Sequence, residues 1–326
     1  MNTVLNLLVS AILNGTPLMY GTMGEILTEK SGNLNLGVEG MMYMGGAIGL
    51  AGAFYYSKFA GSSANGILAV IIAILLAFLA GAAAALIYSF ITISLRANQN
   101  VTGLALSIFG TGVGQFIGEV MRVKEGGYIA VNNDLKVYFY SSPFPDFMQN
   151  IPVIGKLLFS HSIFVYLGIL IACVLAFYIS KTRYGLNLRA VGESPATADA
   201  AGINIMRSKY LATVIGGGIS AIGGMVYIMT IAGGVWNHEG LAGEGWLAVA
   251  LVIFCLWRPL NAIWGSFLFG ALMILYLRVS LPIPSEIYKI LPYIVTVIVL
   301  VITSMRKKRE NQPPESLGIA YFREDR

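Results

Sequence analysis

The chain is a succession of long apolar stretches with almost no charge inside them. Residues 67–95 form one stretch long enough to tilt or to hold a break, and residues 1–24 contain no acid or base. A bilayer-spanning helix needs about 20 apolar residues at a rise of about 1.5 Å each. By that measure nine spans are expected, at about 4–24, 38–57, 67–95, 101–121, 162–180, 210–232, 243–257, 262–279 and 288–304. Only 11% of the residues are charged, against about a quarter in a typical soluble domain, too few to cover a water-facing surface. The expectation is an all-α polytopic membrane protein with about nine transmembrane helices (8–10), a single transmembrane domain over 1–305 and a basic tail over 306–326. The first stretch lacks the basic segment that opens a cleaved leader, so it reads as a retained span.

Lys and Arg set the orientation, because short cytoplasmic loops accumulate them. The 181–209 loop holds Lys181, Arg183, Arg189, Arg207 and Lys209, and the tail holds Arg306, Lys307, Lys308, Arg309, Arg323 and Arg326. Both are expected inside, which places the N-terminus outside and 14 of the 21 basic residues on the inner side. The sequence pI near 9.1 follows from these loops and gives no basic face for phosphate contacts, so nucleic acid is not a partner. The 122–161 segment is aromatic and proline-rich. It reads either as an interfacial segment or as a docking surface on the outer side.

Several chemistries have no residues to carry them. Cys173 and Cys255 lie far apart in apolar runs and read as small buried hydrophobes. His161 and His238 fit no zinc spacing, so no metal is expected. There is no phosphate-cradling G-x-x-x-x-G-K-[ST] and no Ser-His-Asp or His-Glu-x-x-His arrangement. No catalytic residues and no cofactor are therefore expected.

Polar residues inside this background are the candidate functional ones. "EKSGNLNLGVEGMMYMGG" at 29–46 carries Asn33, Asn35 and Glu39 between two apolar stretches. "GLAGEGWLAVALVIF" at 240–254 is a weak counterpart in which Glu244-Gly245 matches Glu39-Gly40. One glutamate would open a helix from the inside and the other from the outside, the pattern of inverted repeats with discontinuous helices. Two readings stay open. The acids cap helix N-termini, or they line a translocation path with Asn33 and Asn35. Asn98, Gln99 and Asn100 precede another apolar helix and are further path candidates. Gly110, Gly114 and Gly118 on that helix form a face for close packing.

The 181–209 loop is the most informative stretch. Ser194 can cap a helix and Pro195 suits its first position, while Gly202 can end it in a left-handed turn. A helix of about two turns is expected, presenting Ala196, Ala198, Ala200 and Ala201. It is either a surface connector or a lever received by another protein. The candidate coupling residues are Gly192, Glu193, Ser194, Pro195, Ala198, Ala200 and Gly202.

"GEILTEKSGNLNLGVEGMMYMGG", "LRANQNVTGLALSIFGTG" and "RYGLNLRAVGESPATADAAGINIMRSKYLA" resemble inner-membrane permeases of ABC importers, of the ribose and branched-chain amino acid type and its nucleoside and simple-sugar subfamily. The resemblance covers about 20–300, and the 181–212 stretch matches the family's coupling loop. It implies a multi-pass protein of the bacterial cytoplasmic membrane. The implied partners are an ABC ATPase subunit that uses the ATP, a second homologous permease, an extracellular substrate-binding lipoprotein and the lipid bilayer. The implied cargo is a nucleoside, with a simple sugar or another small polar solute as the alternative. An ion-coupled secondary transporter is the remaining rival, with Glu39, Glu119 and Glu244 as its nearest intramembrane acids. The chain departs from the family at "WRPLNAIWGS", 257–266, which puts the shape of that turn in question.

Overall fold

The structure is a computed structural model that describes residues 2–278, 285–306 and 312–322. Each apolar stretch of the sequence is a helix. The long elements are α1 (Asn2–Glu29), α2 (Val38–Ala60), α3 (Gly66–Ser89, continued by a π turn to Ser94) and α4 (Gln99–Lys124). Short α5 (Asn133–Tyr140) and α6 (Asp146–Gln149) follow, then α7 (Ile163–Lys181), α8 (Arg183–Glu193) and α9 (Pro195–Ala200). The chain closes with α10 (Ile205–Val226, continued by a π turn to Ile231), α11 (Glu244–Phe254), α12 (Pro259–Arg278) and α13 (Ser285–Arg306). Among the described residues the sole β feature is an isolated bridge between Ala130 and Val235. α1, α3, α4, α7 and α10 are long and apolar enough to cross a membrane on length and composition alone.

Small residues let these helices touch. A Cβ on Gly24 of α1 would lie 2.2 Å from the Gly216 carbonyl of α10, and one on Gly15 would lie 2.3 Å from the Ser266 carbonyl of α12. Gly81 of α3 stands against Gly217 and Ala221 of α10, and Gly224 of α10 against the Met42 backbone of α2. Without an apolar driving force between helices in lipid, this backbone proximity supplies the dispersion contacts that hold the bundle. On α4, Gly110 meets Gly40, Gly114 meets Tyr43 and Gly118 meets the Trp236 ring, so the expected glycine face is a packing face.

The packing has an internal pairing. α1 and α10 cross antiparallel at the centre; α3 lies along α10, and α12 lies along α1. α2 and α11 fill the corresponding places beside them. Because α1 and α10 run in opposite senses, the two halves are related by an inverted pairing, as the Glu-Gly repeat suggests. One end of the bundle gathers Lys30, Arg96, the 181–209 loop and Arg258, and is called the basic end here; 125–162 lies at the other.

Two expectations need correction. Cys173 is exposed on α7, whereas Cys255 is buried, because α7 turns one face away from the bundle. The 181–209 loop is more helical than expected: α8 adds three turns before α9, opened by Thr182, whose Oγ1 accepts from Gly185 N at 3.0 Å.

Candidate functional site

α2 and α11 both begin inside the bundle. Gly21 of α1 faces Val38, Met42 and Ala248, and Thr22 Oγ1 donates to the Ala248 carbonyl at 3.2 Å. Gly21 lies eight residues from the end of α1, about 12 Å along the helix. The starts of α2 and α11 therefore meet well below the basic end. Chain 30–37 climbs to that depth from one end, and chain 232–243 descends to it from the other.

Backbone at such depth needs partners within the protein. Glu25 Oε1 accepts from Asn35 N at 3.0 Å and Gln99 Oε1 from Leu34 N at 2.7 Å. Tyr88 donates to the Leu34 carbonyl, and Ser107 donates to the Leu36 carbonyl at 2.6 Å. Asn35 Oδ1 accepts from Gly37 N at 2.9 Å, and Asn33 Nδ2 donates to Thr213 Oγ1 at 3.0 Å. Of the polar candidates, Asn33, Asn35 and Gln99 are thus buried and build the entrant segment. Asn98 is the cap of α4, accepting from Val101 N at 3.1 Å, and Asn100 is exposed beside it.

The two repeat glutamates meet. Glu39 Oε1 accepts from Gly243 N at 2.7 Å, and Oε2 accepts from Gly245 N at 2.7 Å and from Trp246 N at 3.3 Å. Glu39 thereby caps α11, a helix of the other half, and not its own. Three amide groups and a helix dipole offset the cost of burying the carboxylate. A Cβ on Gly245 would sit 2.3 Å from Glu39 Cα, so the two helix starts abut backbone to backbone. Glu244 is also buried, and its Oε2 has no partner among the described residues. Tyr43, Gln115 and Tyr227 lie close by. The result is a polar hub of acids, phenols and amides deep in an apolar bundle, joined to the two entrant segments that reach it from opposite ends.

The basic end carries the second element. Ser194 Oγ accepts from Thr197 N at 3.4 Å, Pro195 opens α9, and Gly202 ends it at φ +80°, the expected short helix. Ala198 is 2% exposed and packs on Val191, Ile205 and Tyr321. This corrects the expected row of small outward residues: Ala196, Ala200 and Ala201 face out, while Ala198 anchors α9. A Cβ on Gly192 would lie 2.4 Å from the Lys30 carbonyl, so the end of α8 rests on the entrant segment. Burial, and then the charges of Arg189 and Arg258 against the pull of Glu193, hold the Lys30 ammonium below its usual value. The 257–258 departure closes a further link. Leu256 and Trp257 adopt φ +55° and +54°, and Trp257 Nε1 donates to the Glu29 carboxylate.

Sequence reasoning missed the tail. Residues 312–322 lie against the domain instead of trailing from it. Ser316 N and Oγ donate to the Gly192 carbonyl at 3.1 and 2.5 Å, and Gly318 N donates to the Gly32 carbonyl at 3.3 Å. Tyr321 donates to Asp199 Oδ2 at 3.0 Å. The tail therefore joins α8, α9 and the entrant segment. A Ser-Leu-Gly turn after Pro313-Pro314 was the available signal.

The family described as the branched-chain amino acid transport system permease component matches residues 7–300. The chain is 31% identical over 327 residues to the guanosine ABC transporter permease protein NupQ of Bacillus subtilis, covering 98% of both. It is 31% identical to the nucleoside ABC transporter permease protein NupC of Lactococcus lactis, covering 92% of each chain. A putative glucose ABC transporter permease protein of Haloferax volcanii is 33% identical over 85% of this chain and 79% of its own. No solved structure matches.

Proposed function

Because the chain belongs to the branched-chain amino acid transport permease family, we propose that it is the membrane-spanning subunit of an ATP-driven importer for nucleosides. The observation that carries the cargo is near full-length similarity to two permeases named for guanosine and nucleoside transport. The geometry supports a transport role: two discontinuous helices meet at a buried polar hub, where a small rigid-body shift of one half against the other would alter access.

In this reading the basic end is cytoplasmic, the N-terminus is outside and the protein sits in a bacterial cytoplasmic membrane. A separate ABC ATPase receives α9 on the outward side of Ala196, Ala200 and Ala201, supplies the ATP hydrolysis and drives the cycle. A second, homologous permease and an extracellular binding lipoprotein complete the complex. Asn33, Asn35, Gln99, Glu39 and Glu244 act as the frame of the path, and Asn98 and Asn100 as its polar mouth. A second reading, a simple sugar as cargo, is favoured by the glucose-permease relative.

Uptake of labelled guanosine and labelled glucose by a deletion strain, with and without a plasmid copy of the gene, tests the proposal. Restoration of guanosine uptake alone supports it. Restoration of glucose uptake alone selects the second reading.

A further inference from the structure

An open cavity of about 470 Å³ lies at the basic end, between the end of α7, α8, Lys30 and the turn that leads into α12. α7, Ile163–Lys181, is one of the helices long and apolar enough to cross a membrane. Its final turns supply Ala176, Ile179 and Ser180 to the lining, so the cavity sits at the depth where phospholipid headgroups begin. α7 and α12 pack on each other beside it. Phe177 of α7 and Trp264 of α12 are 64% and 76% exposed, an apolar and aromatic surface of the kind that meets lipid near the interface. The volume exceeds that of a single water many times over, since one water occupies about 30 Å³.

The lining is cationic. Lys30 and Arg189 both contribute to it, and neither side chain makes a hydrogen bond or ion pair among the described residues. Arg189 is exposed and Lys30 half-buried, so both present surface to an occupant. The charges acting on Lys30 are Arg189 and Arg258, which repel it, and Glu193 and Glu29, which attract it. Both acids lie outside the lining, and Glu29 is buried and accepts from Trp257 Nε1. Arg258 lines the cavity too but, like Glu193, has an interaction of its own, which leaves Lys30 and Arg189 as the pair for an anion. Like charges facing a common space repel, and an anion between them removes that cost. At the rim, Ser180 and Asn261 are exposed. Asn261 Nδ2 donates to the Cys255 carbonyl at 3.1 Å, which keeps its amide oxygen for an incoming hydroxyl.

We propose that this cavity holds the headgroup of an anionic phospholipid, with its phosphodiester between Lys30 and Arg189 and its acyl chains along α7 and α12. Basic pockets between spanning helices take such headgroups. A zwitterionic lipid brings a further cation to a lining that already carries three, and is disfavoured. Inorganic phosphate supplies the charge but leaves the apolar wall of Ile179, Trp257 and Leu260 uncovered. The site needs a chain that spans a membrane; it does not depend on the cargo, the orientation or the ATPase. Lys30 opens the entrant segment, and Gly192 of α8 rests on its carbonyl. A bound headgroup therefore ties α8 to that segment and makes their contact responsive to the lipid of the surrounding leaflet.

The test uses the full-length permease with its native partner subunits, stripped of lipid in a neutral detergent. Phosphatidylglycerol is the probe and phosphatidylcholine the control, with bound lipid counted by native mass spectrometry. The expected result is binding of phosphatidylglycerol at least fivefold tighter than of phosphatidylcholine. Arg189→Gln and Lys30→Gln should each weaken it at least fivefold, and Arg189→Lys should largely retain it. Arg183→Gln removes an exposed charge of α8 outside the cavity and should leave binding unchanged. Arg189→Gln, at an exposed helical position, decides the matter if Lys30→Gln fails to fold. Equal binding of the two lipids, or equal phosphatidylglycerol binding by the wild type and Arg189→Gln, overturns the proposal. An equal loss in Arg183→Gln assigns the binding to the general charge of the loop and overturns it too. Displacement of the lipid by equimolar inorganic phosphate makes the occupant a free anion and also overturns it. Failure of guanosine uptake with intact Arg189-dependent lipid binding overturns the cargo and leaves this site standing.

Discussion

Glu39 of α2 holds the N-terminus of α11 through Gly245, with its Oε2 2.7 Å from the Gly245 amide, so an acid from one half of the chain caps a helix of the other. Replacing it by Gln removes the charge and turns one accepting oxygen into a donor facing amides. Hydrogen bonds to a charged group contribute about 1.5–3 kcal/mol each on a net basis, so Glu39→Gln should lower the melting temperature in detergent clearly. Glu244→Gln, whose Oε2 has no partner to lose, should change melting little and act on uptake. Equal melting for Glu39→Gln and the wild type would show that the cap does not hold the halves together.

A pair of glycine substitutions separates packing from propensity. A Cβ on Gly224 would fall 1.8 Å from the Met42 carbonyl, whereas one on Gly112 meets nothing within 4 Å. Gly224→Ala should destabilise by about 1–3 kcal/mol through overpacking. Gly112→Ala should be neutral or stabilise by up to about 1 kcal/mol. Melting of the two variants side by side checks the α2–α10 crossing.

Position along α9 should decide what a bulky residue does. Ala200→Trp, on the outward side, should leave expression and melting intact but reduce co-purification of the ATPase and coupled uptake. Ala198→Trp, against Val191 and Tyr321, should instead lower melting. The reverse pattern would place the partner on the other side of α9.

The apolar stretches, the helix from Ser194 to Gly202 and the glycine face of α4 were legible because each is a local pattern. Span-length hydropathy, a cap followed by proline, and a four-residue spacing all act within a few turns of chain. The partners of the polar residues were not legible. Glu39 caps a helix about 200 residues away, Gln99 serves Leu34, and Trp257 serves Glu29; no local rule selects such pairs. The tail looked like a charged end because its docking rests on backbone bonds to Gly32 and Gly192, which leave no trace in composition.

His161 gives a pH signature outside the spans. It is 5% exposed, its Nε2 lies 3.0 Å from the Leu157 carbonyl, and burial lowers its pKa below 6.5. With the folded value below the unfolded one, the unfolded chain takes up the proton first. Stability therefore falls as pH drops through about 6.5. Melting between pH 7.5 and 5 should show this decline, and His161→Gln should flatten it. An unchanged slope in the variant would assign the decline to other groups.

As the permease of an ATP-driven importer, this chain should move a nucleoside only when ATP is hydrolysed. The most direct measurement is ATP-driven accumulation of labelled guanosine in proteoliposomes holding the complete complex, with Ala200→Trp permease as the uncoupled control. Guanosine accumulation should require ATP and be lost in the variant, and glucose should not accumulate. Guanosine entry that proceeds without ATP and follows an imposed ion gradient would contradict it.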